Sequence, residues 1–248
     1  MHLYIANKLH SSWSLRPWLL MTALGIPFEE TLIPMYLPDS KVRMLDVSPA
    51  GKMPCLVVAP NELKAEPAAC GTSHIVVWES LAIMEFLAEQ FPDKPNWPRQ
   101  SGARAHARCV SNEMHAGFQA LRNTCPMNLG KKFAPQALSS DLADNVRRIE
   151  GMWSDCRRRF KGSGEFLFGE FCAADAMYAP VVTRLDTYQI PVATETRQYM
   201  NAVLAHPAFV KWREAALVEP WVVPHYDEGW TPVDVFHRPS NPIVCRRA

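Results

Sequence analysis

The sequence lacks the patterns by which several classes of protein are recognised. Its seven cysteines are odd in number and form no CxxC pair, which fits reduced thiols better than a disulfide framework or a zinc site. The eight histidines show no HxxxH spacing, so we expect no metal site. No apolar run approaches the roughly 20 residues of a membrane span, and the first residues, MHLYIANKLHSSW, lack a signal-peptide core. We therefore expect a soluble, cytoplasmic protein.

The sequence also lacks an excess of charge of either sign. Lysine and arginine number 26 against 25 for aspartate and glutamate, so neither nucleic acid nor an anionic membrane is expected as a partner. What the sequence does have is 48% hydrophobic and 21% charged residues over 248 positions. This composition is ordinary for a globular protein with one large or two small domains.

The first 91 residues follow the predicted order β-α-β-α-β-β-α. Alternation and β-branched or aromatic content predict the strands, and apolar residues at helical spacing predict the helices. The predicted elements are a strand at 2–7, a helix at 14–25, a strand at 28–35, a short helix at 41–45, a turn-rich entry into an apolar strand over 48–59, a strand at 75–78, and a helix at 79–91. Residues 60–74 are rich in Ala, Pro and Gly and are expected to form a surface insertion.

A change of composition follows this first part of the chain. The stretch PDKPNWP at 92–98 has three prolines and is the expected linker. Helical patterns follow at 101–121, 140–160, 173–188, 194–204 and 207–217. We expect an α/β domain at 1–91, a linker at 92–100, an all-helical domain at 101–219 and an extended tail at 220–248.

The segment GKMPCL at 51–56 places a proline directly before an apolar strand, where it cannot donate a hydrogen bond. A cis peptide at Met53–Pro54 would turn the N–H and C=O of Met53 toward a ligand. An ordinary turn with a trans peptide explains the segment equally simply, and the residues alone favour it.

The segment VWES at 77–80 marks the point where a strand runs into a helix. The unpaired N–H groups at the helix N-terminus can hold a ligand carboxylate, and Glu79 can hold a ligand ammonium group. A zwitterionic amino-acid head group needs both. The alternative is a plain N-cap serine, Ser80, preceded by an acidic residue.

The segment HSSWSLRPWLLM at 10–21 carries three serines in four positions, followed by a proline. We predict that Ser14 caps the helix, because Pro17 then falls in the first turn and removes no helical hydrogen bond. Ser11 and Ser12 precede this cap, and capping does not explain both of them.

Together these three segments resemble the cytosolic glutathione S-transferase family. SSWSLRPWLL is similar to the SSCxWRVRIAL signature of the zeta class, which is associated with maleylacetoacetate isomerase. SPAGKMPCLV is similar to the family's NPxGKVPxL loop with its cis-proline, and VWES is similar to its (Q/E)-S element. The resemblance covers about residues 2–217 and implies a thioredoxin-like N-terminal domain followed by an all-α domain.

The resemblance also implies roles for individual residues. Ser11 would face the sulfur of glutathione, with Ser12 as the near alternative. The residues implied to hold the rest of glutathione are Met53 through its backbone, the cis-proline Pro54, Glu79 and Ser80 at the γ-glutamyl group, and Lys52 and Lys41 at the glycyl carboxylate. The residues implied to line the pocket for a small hydrophobic electrophile are Trp13, Met114, His115 and Phe118. The resemblance also implies that the protein forms a homodimer.

Two positions depart from the family pattern. Trp13 stands where the zeta motif has cysteine, which separates this chain from the isomerase pattern. Cys172 and Asp175 stand where a Ser/Thr-x-x-Asp capping box usually starts a helix, so Asp175 is expected to do most of the capping. Three functions remain open: conjugation of glutathione to an electrophile, glutathione-dependent cis–trans isomerisation, and a non-catalytic relative that acts through protein contacts.

A single hydroxyl is sufficient for the implied chemistry. Lowering a thiol pKa from ~8.5 to ~6.5 needs about 2.7 kcal/mol of anion stabilisation. A hydroxyl donating to a charged acceptor contributes ~1.5–3 kcal/mol, and a helix N-terminus adds ~0.3–1 kcal/mol. A nucleophilic serine is disfavoured because GxSxG is absent and His10 is expected to point away from the serines.

Overall fold

The computed structural model describes residues 1–63 and 74–246. The elements of its first part are β1 His2–Ile5, α1 Ser12–Ala23, β2 Glu29–Leu32, α2 Ser40–Leu45, β3 Cys55–Val58, β4 Ile75–Trp78 and α3 Ser80–Gln90. The predicted order of strands and helices is confirmed, with strands shorter than predicted. Of the predicted surface insertion at 60–74, residues 64–73 lie outside the described residues.

The four strands form one sheet in the order β2-β1-β3-β4. The β1 strand runs parallel to β2 and antiparallel to β3, and β3 runs antiparallel to β4. Leu3 of β1 lies opposite Leu56 of β3, and both side chains are fully buried. The ends of β1 and β4 therefore lead into α1 and α3, whose N-termini carry the candidate site residues.

The second part of the chain is mainly helical, as predicted. Its helices are α4 Ser101–Ala116, α5 Gln119–Thr124, α6 Ser140–Phe160, α7 Ala173–Thr187, α8 Thr194–Ala205 and α9 Pro207–Leu217. The predicted continuous helix over 101–121 is wrong, because the chain breaks at Gly117 and Phe118. Phe118 takes a left-handed backbone conformation (φ 63°) and becomes the N-cap of α5.

Strand pairing involving the tail was not predicted. The short strand β5 (Lys131–Phe133) pairs antiparallel with β7 (Pro232–Val235), and β6 (Trp221–Val222) pairs parallel with β8 (Ile243–Val244). These strands are two to four residues long, too short for a two-residue period to be visible in the sequence. The β5–β7 pair attaches the tail to the helical part, whereas β6 and β8 both lie within the tail.

A continuous hydrophobic core joins the sheet to the helices. Leu15 of α1, Met177 of α7 and Trp212 of α9 all belong to it and are fully buried. A smaller cluster beneath the other face of the sheet contains Met53 and Cys55. The fold class is an α/β part followed by a helical part, whereas the domain limits at residues 91 and 101 stay a prediction.

Candidate functional site

A cleft of about 1370 Å³ lies between the sheet and the helices. Residues near the start of α1, the loop before β3, α5, α7 and the tail all contribute to its lining. Of the predicted site residues, those that line it are Ser11, Ser12, Trp13, Lys41, Lys52, Met53 and His115. The structure thus brings the serine segment and the Met53 loop to one cavity.

The start of α1 is organised differently from the prediction. Ser11, not Ser14, is the N-cap, and its oxygen accepts a hydrogen bond from the Ser14 N–H at 3.4 Å. Ser14 is fully buried inside the helix, and its hydroxyl accepts from the Ala6 N–H at 3.0 Å. The prediction that Ser14 caps α1 was wrong. The Ser14 hydroxyl bonds to the Ala6 N–H, directly after β1, and Ser11 takes the N-cap position.

The two candidate serines differ in their hydrogen bonding. The hydroxyl oxygens of Ser11 and Ser14 lie 2.8 Å apart and share a hydrogen bond. Ser12 is the first residue of α1, and its hydroxyl makes no hydrogen bond within the described part of the chain. Both serines lie at the positive end of α1 and line the cleft, so either hydroxyl can reach a ligand there.

His10 also lines the cleft, against the expectation that it points away from the serines. The segment is not extended there, since the His10 and Ser11 N–H groups both turn back to the carbonyl of Asn7. The His10 ring stacks on Tyr226 of the tail at 4.5 Å. Burial is the main reason why the pKa of His10 is lowered to about 3, so the ring is neutral. Its Nδ1 bonds to the Met127 carbonyl at 3.1 Å, which places the proton on Nδ1 and leaves Nε2 as an acceptor.

The loop before β3 has the geometry that the resemblance implies. The Met53–Pro54 peptide bond is cis. Gly51 has a positive φ of 56°, and the ammonium group of Lys41 donates to its carbonyl at 3.2 Å. Gly51 lies in the left-handed region, where residues with a Cβ are rarely found, so this turn favours glycine. Lys41 and Lys52 supply positive charge at this edge of the cleft.

Glu79 and Ser80 lie at the N-terminus of α3, beside this cleft lining rather than within it. Glu79 is the N-cap and has a positive φ of 71°, a strained conformation for a non-glycine residue. Its carboxylate faces Nε2 of His115, which lines the cleft, at 3.8 Å. The Ser80 hydroxyl is buried and has no partner among the residues described. A buried hydroxyl without a partner is expected to bind a ligand group.

The residues predicted to line the electrophile pocket divide into two pairs. Trp13 and His115 line the cleft, with their rings 5.1 Å apart. Met114 is fully buried, on the stripe of α4 that packs toward α7, and Phe118 is buried in the turn between α4 and α5. Neither Met114 nor Phe118 contributes to the cleft lining, because both side chains are part of the hydrophobic core.

Three arginines near the cleft were not predicted. Arg16 and Arg122 lie over the Trp13 ring, 4.1 and 4.6 Å from its centroid. Arg184 of α7 donates to the carbonyls of Cys125 at 2.8 Å and Pro180 at 3.0 Å. Burial lowers the pKa of Arg122, and lowers that of Arg184 to about 10. The guanidinium groups thus bond to backbone carbonyls, and none forms an ion pair within the described residues.

The tail supplies another part of the cleft that sequence patterns did not reveal. His225, Tyr226 and Arg246 line it together with Arg122 and Arg184. Their positions in the sequence are separated by up to about 120 residues, and no motif connects them. Only the pairing of the tail strands brings these side chains to the same place.

No group of three or more metal-ligating side chains occurs in residues 1–63 and 74–246. The departures noted above have local explanations there. Asp175 accepts from the N–H of Cys172 at 3.0 Å, and burial raises its pKa to about 6. Cys172 and Asp175 form a capping box at the start of α7, in which this carboxylate accepts from the N-cap N–H. The six described cysteines are free thiols. No described helix has both the length and the apolar character needed to cross a membrane.

Residues 10–90 match the family described as glutathione S-transferase, N-terminal domain. This match covers the serine segment, the cis-proline loop and the start of α3. Residues 10–90 therefore form an N-terminal domain of the glutathione S-transferase family. The mixed sheet with its helical C-terminal part is the fold of this family.

Similar proteins include an isomerase and solved glutathione transferases. A probable maleylacetoacetate isomerase from Caenorhabditis elegans is 25% identical over 84% of this chain and 90% of that protein. A holo structure of maleyl pyruvate isomerase, described as a bacterial zeta-class transferase, has a TM-score of 0.61 and 19% identity over 87% of this chain and 98% of its own. A transferase homologue from Burkholderia with bound glutathione has a TM-score of 0.59 and 18% identity over 87% and 97%. At such identities the structural likeness establishes the fold.

Proposed function

We propose that this transferase-family protein uses glutathione as a cosubstrate and activates its thiol with a serine hydroxyl at the N-terminus of α1. The product would be a conjugate with a small electrophile bound in the same cleft. The main support is the geometry at the start of α1, where serine hydroxyls line a cleft shared with Met53. A serine hydroxyl and a helix N-terminus together supply the ~2–3 kcal/mol that thiolate formation requires.

Glutathione would bind along the loop before β3 and the start of α3. The backbone of Met53, next to the cis-proline, would pair with its cysteinyl part. The unpartnered hydroxyl of Ser80 and the carboxylate of Glu79 would hold the γ-glutamyl group. Lys41 and Lys52 would hold the glycyl carboxylate. These assignments follow the family pattern and the position of each group around the cleft.

The hydroxyl that meets the sulfur would come from Ser11 or Ser12. Ser12 has a hydroxyl without a partner among the described residues, and it can donate directly. Ser11 can donate once Ser14 turns its hydroxyl to donate to Ser11, forming a chain Ala6 N–H, Ser14, Ser11, sulfur. In this chain every oxygen retains a donor. The two mechanisms differ in whether Ser14 matters.

The first test is retention on immobilised glutathione, followed by thioether formation with a chloronitrobenzene acceptor. We expect both in the unmodified protein. Absence of retention together with absence of turnover would contradict the proposal and favour a non-catalytic relative. In a retained protein, Ser11→Ala, Ser12→Ala and Ser14→Ala are compared by kcat and by the pKa of the bound thiol.

The serine variants show whether Ser11 or Ser12 donates to the glutathione sulfur. If Ser11 meets the sulfur, Ser11→Ala lowers kcat strongly, and Ser14→Ala lowers it by about tenfold because the chain is broken. If Ser12 meets the sulfur, Ser12→Ala has the large effect and Ser14→Ala has little. An unchanged thiol pKa in all three variants would rule out serine activation.

A second candidate function is the isomerisation of an unsaturated carboxylic acid. Arg122 Nη1 and Arg184 Nη2 make no hydrogen bond within the described residues, although both side chains line the cleft. Two guanidinium groups beside a cavity favour an acceptor that carries a carboxylate. In this case the thiolate would add to the double bond, the carbon–carbon bond would rotate, and the thiolate would leave again. A panel of maleyl-type acids and uncharged electrophiles distinguishes isomerisation from conjugation.

A further inference from the structure

The segment between β1 and the N-cap of α1 sets the direction in which the serines point. Two of its N–H groups, on His10 and Ser11, turn back to the carbonyl of Asn7 at 3.2 and 2.8 Å. The remaining backbone groups of Lys8 and Leu9 bond to distant parts of the chain. Lys8 and Leu9 directly precede His10 and Ser11 in the chain. A shift of the Lys8 or Leu9 backbone therefore moves the serine segment as well.

Glu219 holds the two N–H groups of this segment. Its Oε1 accepts from Lys8 N–H at 2.6 Å, and its Oε2 accepts from Leu9 N–H at 3.3 Å. The residue lies two positions after the end of α9 and is only 6% exposed. One carboxylate therefore bridges two successive amides that are more than 200 residues away in sequence.

The carbonyl groups of the same two residues are also held from the C-terminal side. Trp212 Nε1 donates to the Lys8 carbonyl at 3.0 Å, and the Leu129 N–H donates to the Leu9 carbonyl at 3.2 Å. Glu219 is itself fixed, because His237 Nε2 donates to its carbonyl at 2.6 Å. Every backbone hydrogen-bonding group of Lys8 and Leu9 is thus engaged by the helical part or the tail.

We propose that Glu219 is a positioning residue for the serine segment, and that its two-amide bridge sets the place from which Ser11 or Ser12 meets the glutathione sulfur. The catalytic part of this inference rests on the proposed function. The bridge itself is a property of the fold and can be tested without glutathione. It also gives the C-terminal end of the helical part, fixed by His237 of the tail, a part in a reaction that otherwise lies at the sheet.

The bridge depends on the ionised form of Glu219, since a protonated carboxyl group has only one oxygen free to accept without competition from its own proton. The charged groups that face it are the ammonium of Lys8, which favours ionisation, and the carboxylate of Glu30, which opposes it. Lys8 in turn forms an ion pair with Glu30, and His237 contacts only the Glu219 carbonyl. Burial is the largest influence and raises the pKa of Glu219 to about 7.

The test compares Glu219→Gln with the unmodified protein and with Glu214→Gln, which alters an exposed carboxylate on α9. Glutamine retains one acceptor and turns an amide N–H₂ toward the second N–H, so one hydrogen bond is lost. Hydrogen exchange at the Lys8 and Leu9 amides is expected to become about 10- to 100-fold faster, which corresponds to the ~1.5–3 kcal/mol of a charge-assisted bond. Glu214→Gln is expected to change neither amide.

The catalytic readout separates positioning from general stability. In Glu219→Gln we expect kcat to fall about tenfold and the pKa of the bound thiol to rise, with the KM for glutathione within about twofold of the original. Glutathione binding should survive because its proposed contacts lie on the β3 and α3 side. Glu219→Asp keeps two acceptor oxygens and should recover part of kcat. In the unmodified protein, the protection of both amides, measured as the exchange rate relative to the intrinsic rate at each pH, should increase as the pH rises through about 7, and this increase should vanish in Glu219→Gln.

Unchanged amide exchange and unchanged kcat in a folded Glu219→Gln protein would overturn the proposal. If Glu219→Gln does not fold, Trp212→Phe removes the bond to the Lys8 carbonyl together with part of the indole packing against Trp18, and the same changes in the same direction are expected. An unaffected thiol pKa in a folded Trp212→Phe protein would then overturn it. If the unmodified protein fails to use glutathione, the amide measurements still decide whether Glu219 holds the segment, so the two failures are distinguishable.

Discussion

Two sets of residues, lining the cleft or lying beside it, are held in place in different ways. The sheet-side set comprises residues 51–54, 79 and 80, and its positions are fixed by backbone conformation. The cis bond before Pro54 and the positive φ of Gly51 and Glu79 are examples. The tail-side set comprises Arg122, Arg184, His225, Tyr226 and Arg246, which are held by side-chain contacts between distant elements.

This difference determines how each set of residues responds when a single side chain is replaced. A backbone-held site keeps its shape when one side chain is replaced, because the loop conformation does not depend on that side chain. A site held by side chains depends on packing between elements, such as the stacking of Tyr226 on His10. We therefore expect substitutions in the sheet-side set to change only the KM for glutathione. Substitutions on the tail side should change the KM for the acceptor and the dependence of stability on pH.

The largest expected effect concerns pH and the tail. Because burial raises the pKa of Glu219 to about 7 from an ordinary value of 4.5, its protonated form is favoured by folding. The contribution of Glu219 to the free energy of unfolding is therefore greatest below about pH 4.5 and is lost as the pH rises through about 7. Comparing urea unfolding of the unmodified protein and Glu219→Gln, we expect the difference in stability to fall by about 3 kcal/mol across this range.

A difference between the two proteins that does not change with pH would contradict this prediction. The buried carboxylate therefore costs stability at neutral pH in the form in which it holds the serine segment. Such a cost is common where a residue is placed for function.

The second prediction concerns the sheet-side set. Glu79→Ala removes the proposed partner of the glutathione ammonium group and should raise the KM for glutathione about 10- to 100-fold, the equivalent of ~1.5–3 kcal/mol. The kcat at saturating glutathione should change little. Glu89→Ala, which alters an exposed residue on the same helix, serves as the control. An unchanged KM would remove Glu79 from the site.

The third prediction concerns the arginines of the tail-side set. Arg122→Met should raise the KM for a carboxylate-bearing acceptor about tenfold, because an ion-assisted hydrogen bond is lost. The KM for glutathione and the rate with an uncharged acceptor should stay within about twofold. Arg99→Met, at an exposed position outside the cleft, is the matched control. Equal loss with charged and uncharged acceptors would show that Arg122 acts only through packing on Trp13.

The smallest expected effect on activity concerns Tyr226. Tyr226→Ala uncovers the His10 ring, so the pKa of His10 should rise from about 3 toward its ordinary value of 6.5, because burial is the leading cause of the shift. An NMR titration of the His10 ring measures this, and activity should change by about threefold. Tyr226→Phe keeps the stacked ring and should leave the pKa low. A low pKa in both variants would show that other residues bury His10.

Much of the fold was predicted from the sequence because its signals are local. The helix over 140–160 follows from apolar residues at helical spacing, and the structure has it at Ser140–Phe160. The order of the first seven elements was predicted for the same reason. The break at Gly117 was missed because glycine within a helical pattern is ambiguous until the neighbouring packing is known.

The candidate site was only partly predictable. The Met53–Pro54 cis bond was implied by the resemblance and not by the residues themselves, which favour the trans form. The cap of α1 was placed three residues too late, because the bond from Ala6 N–H to the Ser14 hydroxyl joins two elements. Met114 and Phe118 were assigned to the pocket because we predicted one continuous helix there. In the structure Met114 is buried on α4 and Phe118 is buried in the turn before α5.

The sequence by itself determined the order of elements, the serine segment, the GKMP loop and the acidic start of α3. Each of these depends on residues within about ten positions of each other, where spacing alone carries the information. Only the tertiary structure decided which serine caps α1, that His10 faces the cleft, and that arginines and the tail complete it. Glu219 reaches Lys8 across the whole chain, and no local pattern encodes a contact that forms only when the tail packs against the sheet.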